Sequence, residues 1–184
     1  MKFTPLAIAD VIKITPRIFK DDRGDFMETF KSQAFNNVVG KDITFVQDNQ
    51  SLSLKANTVR GLHFQSPPFA QGKLVRCIQG AIMDVAVDIR KNSATFGQAV
   101  SAKLTAENND QLWVPEGFLH GFATLMDKTI VQYKCTNYYS SDCDGNVIWD
   151  DADLNVDWGI DAEKAVLSAK DTKAPKFADF LSPF

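Results

Sequence analysis

Cysteine is scarce in this chain. Cys77, Cys135 and Cys143 are its only three, an odd number, and no two stand in a CxxC spacing. Such a set supports neither a disulfide scaffold nor a zinc site, and a reducing cytoplasm is the expected setting. Long apolar runs are missing too. No segment reaches the roughly 18 uninterrupted apolar residues of a membrane helix, so no membrane partner is expected. The opening MKFTPLAIAD carries an apolar run too short for a signal peptide, broken by Pro5 and Asp10. Basic excess is absent as well. A net charge of −3 removes the broad positive field that nucleic acid requires and leaves room only for a local anion site. There is no low-complexity linker, internal repeat or break in composition. The 184 residues, 45% of them hydrophobic, are therefore read as one domain spanning 1–184 with a sizeable core.

What the chain does contain is short alternating segments. In GKLVRCIQG, Leu74, Arg76 and Ile78 alternate with Lys73, Val75 and Cys77. In AIMDVAVDIR, Ala81, Met83, Val85, Val87 and Ile89 share one face, and Ile82, Asp84, Ala86 and Asp88 take the other. Gly80 separates these two runs as a turn or bulge would. TIVQYKCTNYY sets Val131, Tyr133 and Cys135 against Ile130, Gln132 and Lys134. FGQAVSAKL and DQLWVPEGFLHGFATL also read as strands, the second interrupted by Pro115 and Gly117. DDRGDFMETF reads as a turn at Arg23-Gly24 leading into a strand. Helix signals are sparse: SQAFNNVV with Ser32 as its cap, and DAEKAVLSA with Asp161 as its cap. The pattern predicts a mainly β fold, an antiparallel double-sheet jelly roll or small barrel with short peripheral helices. Inward polar residues on several strands of such a barrel converge on one cavity. His63, Lys73, His120 and Tyr133 are the residues expected there.

The stretch TVRGLHFQSPPFAQGKLVRC holds one of only two histidines together with Arg60, Gln65 and Lys73. A lone histidine in a strand is commonly structural. Imidazole nevertheless titrates nearest neutrality, which suits a general base, and a base requires a carboxylate to fix its tautomer. Asp84 and Asp171 are the two candidates. Arg60 and His63 stand an odd number of positions apart, so a regular strand would point them to opposite faces. Gly61 between them is a candidate bulge that would let both face the cavity. Taken singly, Lys73 reads as a solvated strand end, Tyr133 as a core aromatic and His120 as a buried hydrogen-bonded imidazole. No HxH pair is present, which weighs against a metal-holding jelly roll.

Several motifs in order are more specific than any one residue. RGDFMETF, FVQDNQSLS, TVRGLHFQSPPFAQGKLVRCIQGAIMDVAVDIR, VPEGFLHGF, VQYKCTNYY and LSAKD together resemble the dTDP-4-dehydrorhamnose 3,5-epimerase family over nearly the whole chain. The resemblance implies a cupin-type jelly roll, usually a homodimer, with no metal and no organic cofactor. It implies a dTDP-sugar substrate, dTDP-4-dehydro-6-deoxy-D-glucose, epimerised at C3 and C5 on the way to dTDP-L-rhamnose. The C4 ketone acidifies both protons, so the chemistry calls for a base, an acid across the ring and a cation near O4. By resemblance His63 is the base, Asp171 its orienting partner, Tyr133 the opposite-face acid and Lys73 the enolate stabiliser. Arg60 and His120 would line the sugar and diphosphate. Arg23, Glu28, Gln47 and Asn49 would bind the nucleotide, Phe19 and Phe26 would wall the thymine, and Lys170 would approach the nucleotide sugar.

Two positions depart from the family pattern. Asp144 stands five residues before the tryptophan of WDD, where a Glu is frequent, so a nucleotide contact is shortened by one methylene. Ala152 follows WDD where Pro is frequent. Both touch nucleotide binding more than proton chemistry. The competing readings are a mono-epimerase or ketoisomerase on a similar sugar, a non-catalytic sugar-binding jelly roll, and a metal-dependent cupin oxygenase.

Overall fold

The alternating segments become strands. A computed structural model describes residues 1–184. One antiparallel sheet is ordered β1 (Lys2–Pro5), β2 (Ile12–Thr15), β10 (Gln111–Val114), β7 (Lys73–Gln79), β12 (Thr129–Cys135) and β5 (Gln47–Ser53). The second is ordered β13 (Asp144–Asn146), β6 (Val59–Gln65), β11 (Phe118–Thr124), β8 (Ala81–Asp88) and β9 (Ala99–Thr105). β3 (Ile18–Asp21) and β4 (Gly24–Met27) pair only with each other, as a hairpin. Two sheets face to face, with the chain passing back and forth between them, make the expected cupin-type jelly roll.

The sequence breaks mark the crossings. Gly80 is all that separates β7 in one sheet from β8 in the other, and its φ of +81° is open mainly to glycine. A side chain there would collide with Thr129. Pro115 and Gly117 lie between β10 and β11 and serve a second crossing.

Alternation then sorts the core. Val75, Cys77, Leu112, Val114 and Val131 point inward from the six-stranded sheet. They meet Ile82, Ala86, Val100, Ala102, Leu104, Phe118 and Phe122 from the five-stranded sheet. Each such side chain withdrawn from water stabilises the fold by about 1.5–3 kcal/mol before the entropy of ordering is subtracted. β8 is buried on both faces, so its alternation does not separate core from solvent. Val85 and Val87 on its outer face pack with Leu119, Trp149 and Trp158, and the C-terminal Phe177, Phe180 and Phe184 cover them. A third cluster, Ile12, Ile14, Leu74 and Trp113, packs beneath Phe35 on the outside of the six-stranded sheet.

The helix over SQAFNNVV forms as expected but without its expected cap, and the second helix does not form. α1 spans Ser32–Val39, but Ser32 is its first helical residue; Lys31 occupies the cap position and no side chain caps it. The helix is held instead by Phe35, which is 1% exposed, and it ends at Gly40 in the left-handed region. DAEKAVLSA forms only a single 3-10 turn over Ala162–Lys164, although Asp161 does accept from the Glu163 N–H. Strand-type hydrogen bonds win there. Val59 N–H donates to Val166 C=O, and Val166 N–H donates to Asn57 C=O, which draws the chain out of a helix.

Candidate active site

The odd spacing of Arg60 and His63 is resolved by a bulge. His63 lies opposite His120 and Arg60 opposite Phe122, so three steps along β6 match two along β11. Gly61, at φ +136°, sits in the extra turn of chain. A Cβ there would come within 2.5 Å of Gly121 Cα and 2.9 Å of His120 C=O, so only glycine allows the approach. The bulge turns both side chains inward. Arg60 Nε donates to Ser53 Oγ at 3.2 Å and Nη2 to Leu52 C=O at 3.3 Å, reaching β5 of the opposite sheet.

His63 finds its carboxylate 108 residues away. Its Nε2 donates to Asp171 Oδ1 at 2.5 Å. Asp171 Oδ2 accepts from Ser168 Oγ at 2.8 Å, and the Asp171 N–H returns a bond to that hydroxyl at 3.1 Å. Burial opposes ionisation of Asp171, but the His63 hydrogen bond and charge, Ser168 and Lys170 outweigh it and hold the carboxyl below its ordinary value. With Nε2–H given to Asp171, Nδ1 of His63 carries the ring lone pair. Of the two orienting candidates, Asp171 therefore partners His63. Asp84 partners the other histidine, His120, at 2.8 Å.

The opposite wall comes from the other sheet. Lys73, Cys135 and Gln47 form one cross-strand row, and Val75, Tyr133 and Asn49 the next. Burial pushes the Tyr133 hydroxyl up, Cys135 adds to this, and Asn49 and Arg60 oppose it, so the phenol keeps its proton. Burial pushes the Lys73 ammonium down against the pull of Cys135, Asp144 and Asp84; Lys170 reinforces the downward shift.

One cavity of about 540 Å³ is lined by His63, Lys73, Tyr133, Gln47, Asn49, Asp144 and Lys170. Asp144 and Lys170 form an ion pair at its edge. Sequence reasoning missed Tyr139, whose O–H donates to Asp144 Oδ2 at 3.2 Å, and Gln71, and it gave no role to Gln65; all three line the same cavity. The NYY aromatic pair after β12 was the available signal for Tyr139. Gln65 Nε2 donates to Phe69 C=O and Tyr138 C=O, pinning the loops that frame the opening. Asn49 does not reach outward as a pure ligand. Its Nδ2 donates to Cys135 Sγ at 3.6 Å and its Oδ1 accepts from Gln47, so it also braces the Tyr133 row.

Four predicted nucleotide ligands are not brought to this cavity by their own chain. Phe19, Arg23 and Phe26 belong to the β3–β4 hairpin, and Glu28 follows it immediately. Phe26 is 71% exposed and the Arg23 side chain 90%, paired only with Asp21. The reason is topological: the hairpin pairs with neither large sheet. His120 is 7% exposed and is not one of the residues lining the cavity, although it stands directly opposite His63 on the neighbouring strand. No three His, Cys, Asp or Glu side chains are grouped as metal ligands.

Two facing antiparallel sheets that bring a carboxylate-bonded histidine and a buried tyrosine to one cavity define a cupin-type protein. The chain belongs to the dTDP-4-dehydrorhamnose 3,5-epimerase family, whose model matches residues 5–179. It is 52% identical over 169 residues to the dTDP-4-dehydrorhamnose 3,5-epimerase of Salmonella typhimurium, covering 92% of this chain and 91% of that one. Among solved structures it is similar to the dTDP-6-deoxy-D-glucose-3,5-epimerase of Legionella pneumophila in complex with dTDP-4-keto-L-rhamnose. That match has a TM-score of 0.91 at 40% identity and covers 95% of this chain and 92% of that one. It is also similar to a 3'-monoepimerase from Streptomyces bikiniensis in complex with dTDP-quinovose. There the TM-score is 0.88 at 32% identity, covering 95% of this chain and 87% of that one.

Proposed function

We propose that this chain epimerises dTDP-4-dehydro-6-deoxy-D-glucose at C3 and C5, giving dTDP-4-dehydro-L-rhamnose. The observation that carries the reading is that His63 and Tyr133 project from opposite sheets into one cavity. Both sugar protons are α to the C4 ketone. Nδ1 of His63 removes one, and the electron pair moves onto O4. Lys73 stabilises that oxygen as an enolate. Tyr133 returns a proton from the other face, and the centre is inverted. The same pair acts at the second carbon. The ketone itself supplies the acidity, so the scheme calls on no cofactor. Lys170, Asp144 and Gln47 hold the dTDP portion at the cavity edge, and Arg60, held against Ser53 and Leu52 outside the lining, adds positive charge from further off. The three thiols, all unpaired, suit a cytoplasmic setting.

Likeness to the 3'-monoepimerase keeps single-site inversion as a second reading, since a base and an acid on opposite walls serve one carbon as well as two. Proton NMR of dTDP-4-dehydro-6-deoxy-D-glucose with the protein in D2O separates them. Loss of both the C3 and C5 proton signals, with inversion of both centres, is expected. Exchange at one carbon supports the mono-epimerase, and no exchange removes both.

A homodimer is part of the proposal. The exposed hairpin with Phe19, Arg23 and Phe26 lies outside its own cavity, and a second copy would supply it to the site as a nucleotide wall. Sedimentation should give a dimer, and a clean monomer would remove this part.

A further inference from the structure

The inner face of the five-stranded sheet carries a second histidine–carboxylate pair that the scheme above leaves without a task. Two cross-strand rows run across β6, β11 and β8: His63–His120–Ala86 and Arg60–Phe122–Asp84. Side chains in directly opposed positions share a face and touch, and diagonal neighbours remain within reach. His63 and His120 therefore stand side by side on one wall. Each gives Nε2 to a buried carboxylate, His63 to Asp171 and His120 to Asp84. Neither ring uses Nδ1 in a hydrogen bond within the protein.

Asp84 is an unusual group to find there. It is 0% exposed, flanked by core residues of both sheets, and no Arg or Lys pairs with it. Its Oδ2 is buried and has no hydrogen-bond partner. An unpaired carboxylate oxygen in the core is costly, and a well-packed apolar residue in its place would ordinarily be the more stable choice. A group retained against that cost points to a role outside folding.

We propose that Asp84 is a positioning residue for the proton chemistry: it fixes the tautomer and tilt of His120, so that Nδ1 of His120 accepts a hydrogen bond from a hydroxyl of the bound sugar beside the His63 base. The proposal rests on the reading of this cavity as an epimerase site. Asp84 accepts Nε2–H, which leaves the lone pair of His120 on Nδ1. The Asp84 carboxylate is also among the charges that favour the protonated form of Lys73 on the facing sheet.

The chain's two histidines make the test direct. Proton–nitrogen correlation spectra of the wild-type imidazoles should show His120 protonated at Nε2 and bare at Nδ1, with its signals assigned by their persistence in His63→Ala. A proton on Nδ1 of His120 overturns the proposal. Asp84→Ala should lower kcat on the order of 10- to 100-fold, the loss of one hydrogen bond to a charged group, while dTDP binds with unchanged affinity. Asp84→Asn, which keeps an acceptor oxygen, should recover part of that loss. Unchanged kcat, or an equal loss of kcat and dTDP affinity, overturns it. If Asp84→Ala fails to fold, the wild-type spectrum and the Asn variant still decide. If wild-type protein leaves the sugar unaltered, the epimerase reading fails, and the ring spectrum still reports whether Asp84 sets His120.

Discussion

His63→Ala should abolish solvent exchange at both C3 and C5 of the sugar. Removing a positioned base typically costs roughly 10²–10⁴-fold in rate, and in the proposed scheme one imidazole serves both carbons, so both signals should persist in D2O together. The fold should survive. His63 is only half-buried, and Asp171 keeps its two bonds with Ser168. The acid side of the stability curve should change, because the His63 interaction helps hold the Asp171 carboxyl below its ordinary 3.8. A depressed carboxyl stabilises the fold above its unfolded value and loses that contribution as pH falls through the folded value. The variant should therefore be less stable than wild type near neutrality, and the gap should close below the ordinary carboxylate range. Exchange at either carbon at the wild-type rate would remove His63 as the base.

Tyr133→Phe should separate two steps that normally occur together. In the proposed scheme proton abstraction needs the His63 wall, whereas inversion needs a donor on the opposite wall. Burial keeps the Tyr133 phenol protonated and so ready to donate. Without it, the enolate can be reprotonated only from the side that lost the proton. The expected result is exchange at C3 and C5 that continues with retained configuration, while inversion falls by roughly 10²–10⁴-fold. Packing should change little, since Asn49 keeps Gln47 and Cys135 as partners. Proton NMR in D2O reads exchange, and the ring coupling constants read configuration. Equal loss of exchange and inversion would mean that Tyr133 does more than donate across the ring.

Much of the architecture was legible before any coordinate. Period-two alternation marked β7, β8 and β12, and the Gly80 and Pro115–Gly117 breaks marked the places where the chain changes sheet. The helices were less legible for a physical reason. SQAFNNVV folds because Phe35 is buried, and DAEKAVLSA does not because Val166 is drawn into strand-type bonding with β6. Segments of eight and nine residues have too little helical free energy of their own to resist either outcome. The β8 alternation was correct in period and silent about exposure. Its outer face is buried by phenylalanines some ninety residues further along the chain, and no local window reports them.

The candidate site divides along the same line. Residue chemistry and motif order singled out His63, Lys73, Tyr133 and Asp171, because a base, a cation, an acid and a carboxylate are properties of side chains and survive without coordinates. The choice between Asp84 and Asp171 is different in kind. Both are carboxylates, and only the folded chain shows that one reaches His63 and the other His120. The Gly61 bulge was open as a guess from spacing, but its effect depends on the close approach of Gly121 on a neighbouring strand. The hairpin carrying Phe19, Arg23 and Phe26 was assigned to the nucleotide by resemblance, and tertiary structure sets it apart from its own cavity. The sequence by itself determined the strand periods, the turn positions and the chemical inventory, since these depend on residues a few positions apart. Tertiary structure alone decided register, facing and partner choice, because those are set by contacts between strands distant in the chain, where a shift of one residue exchanges the two faces of a sheet.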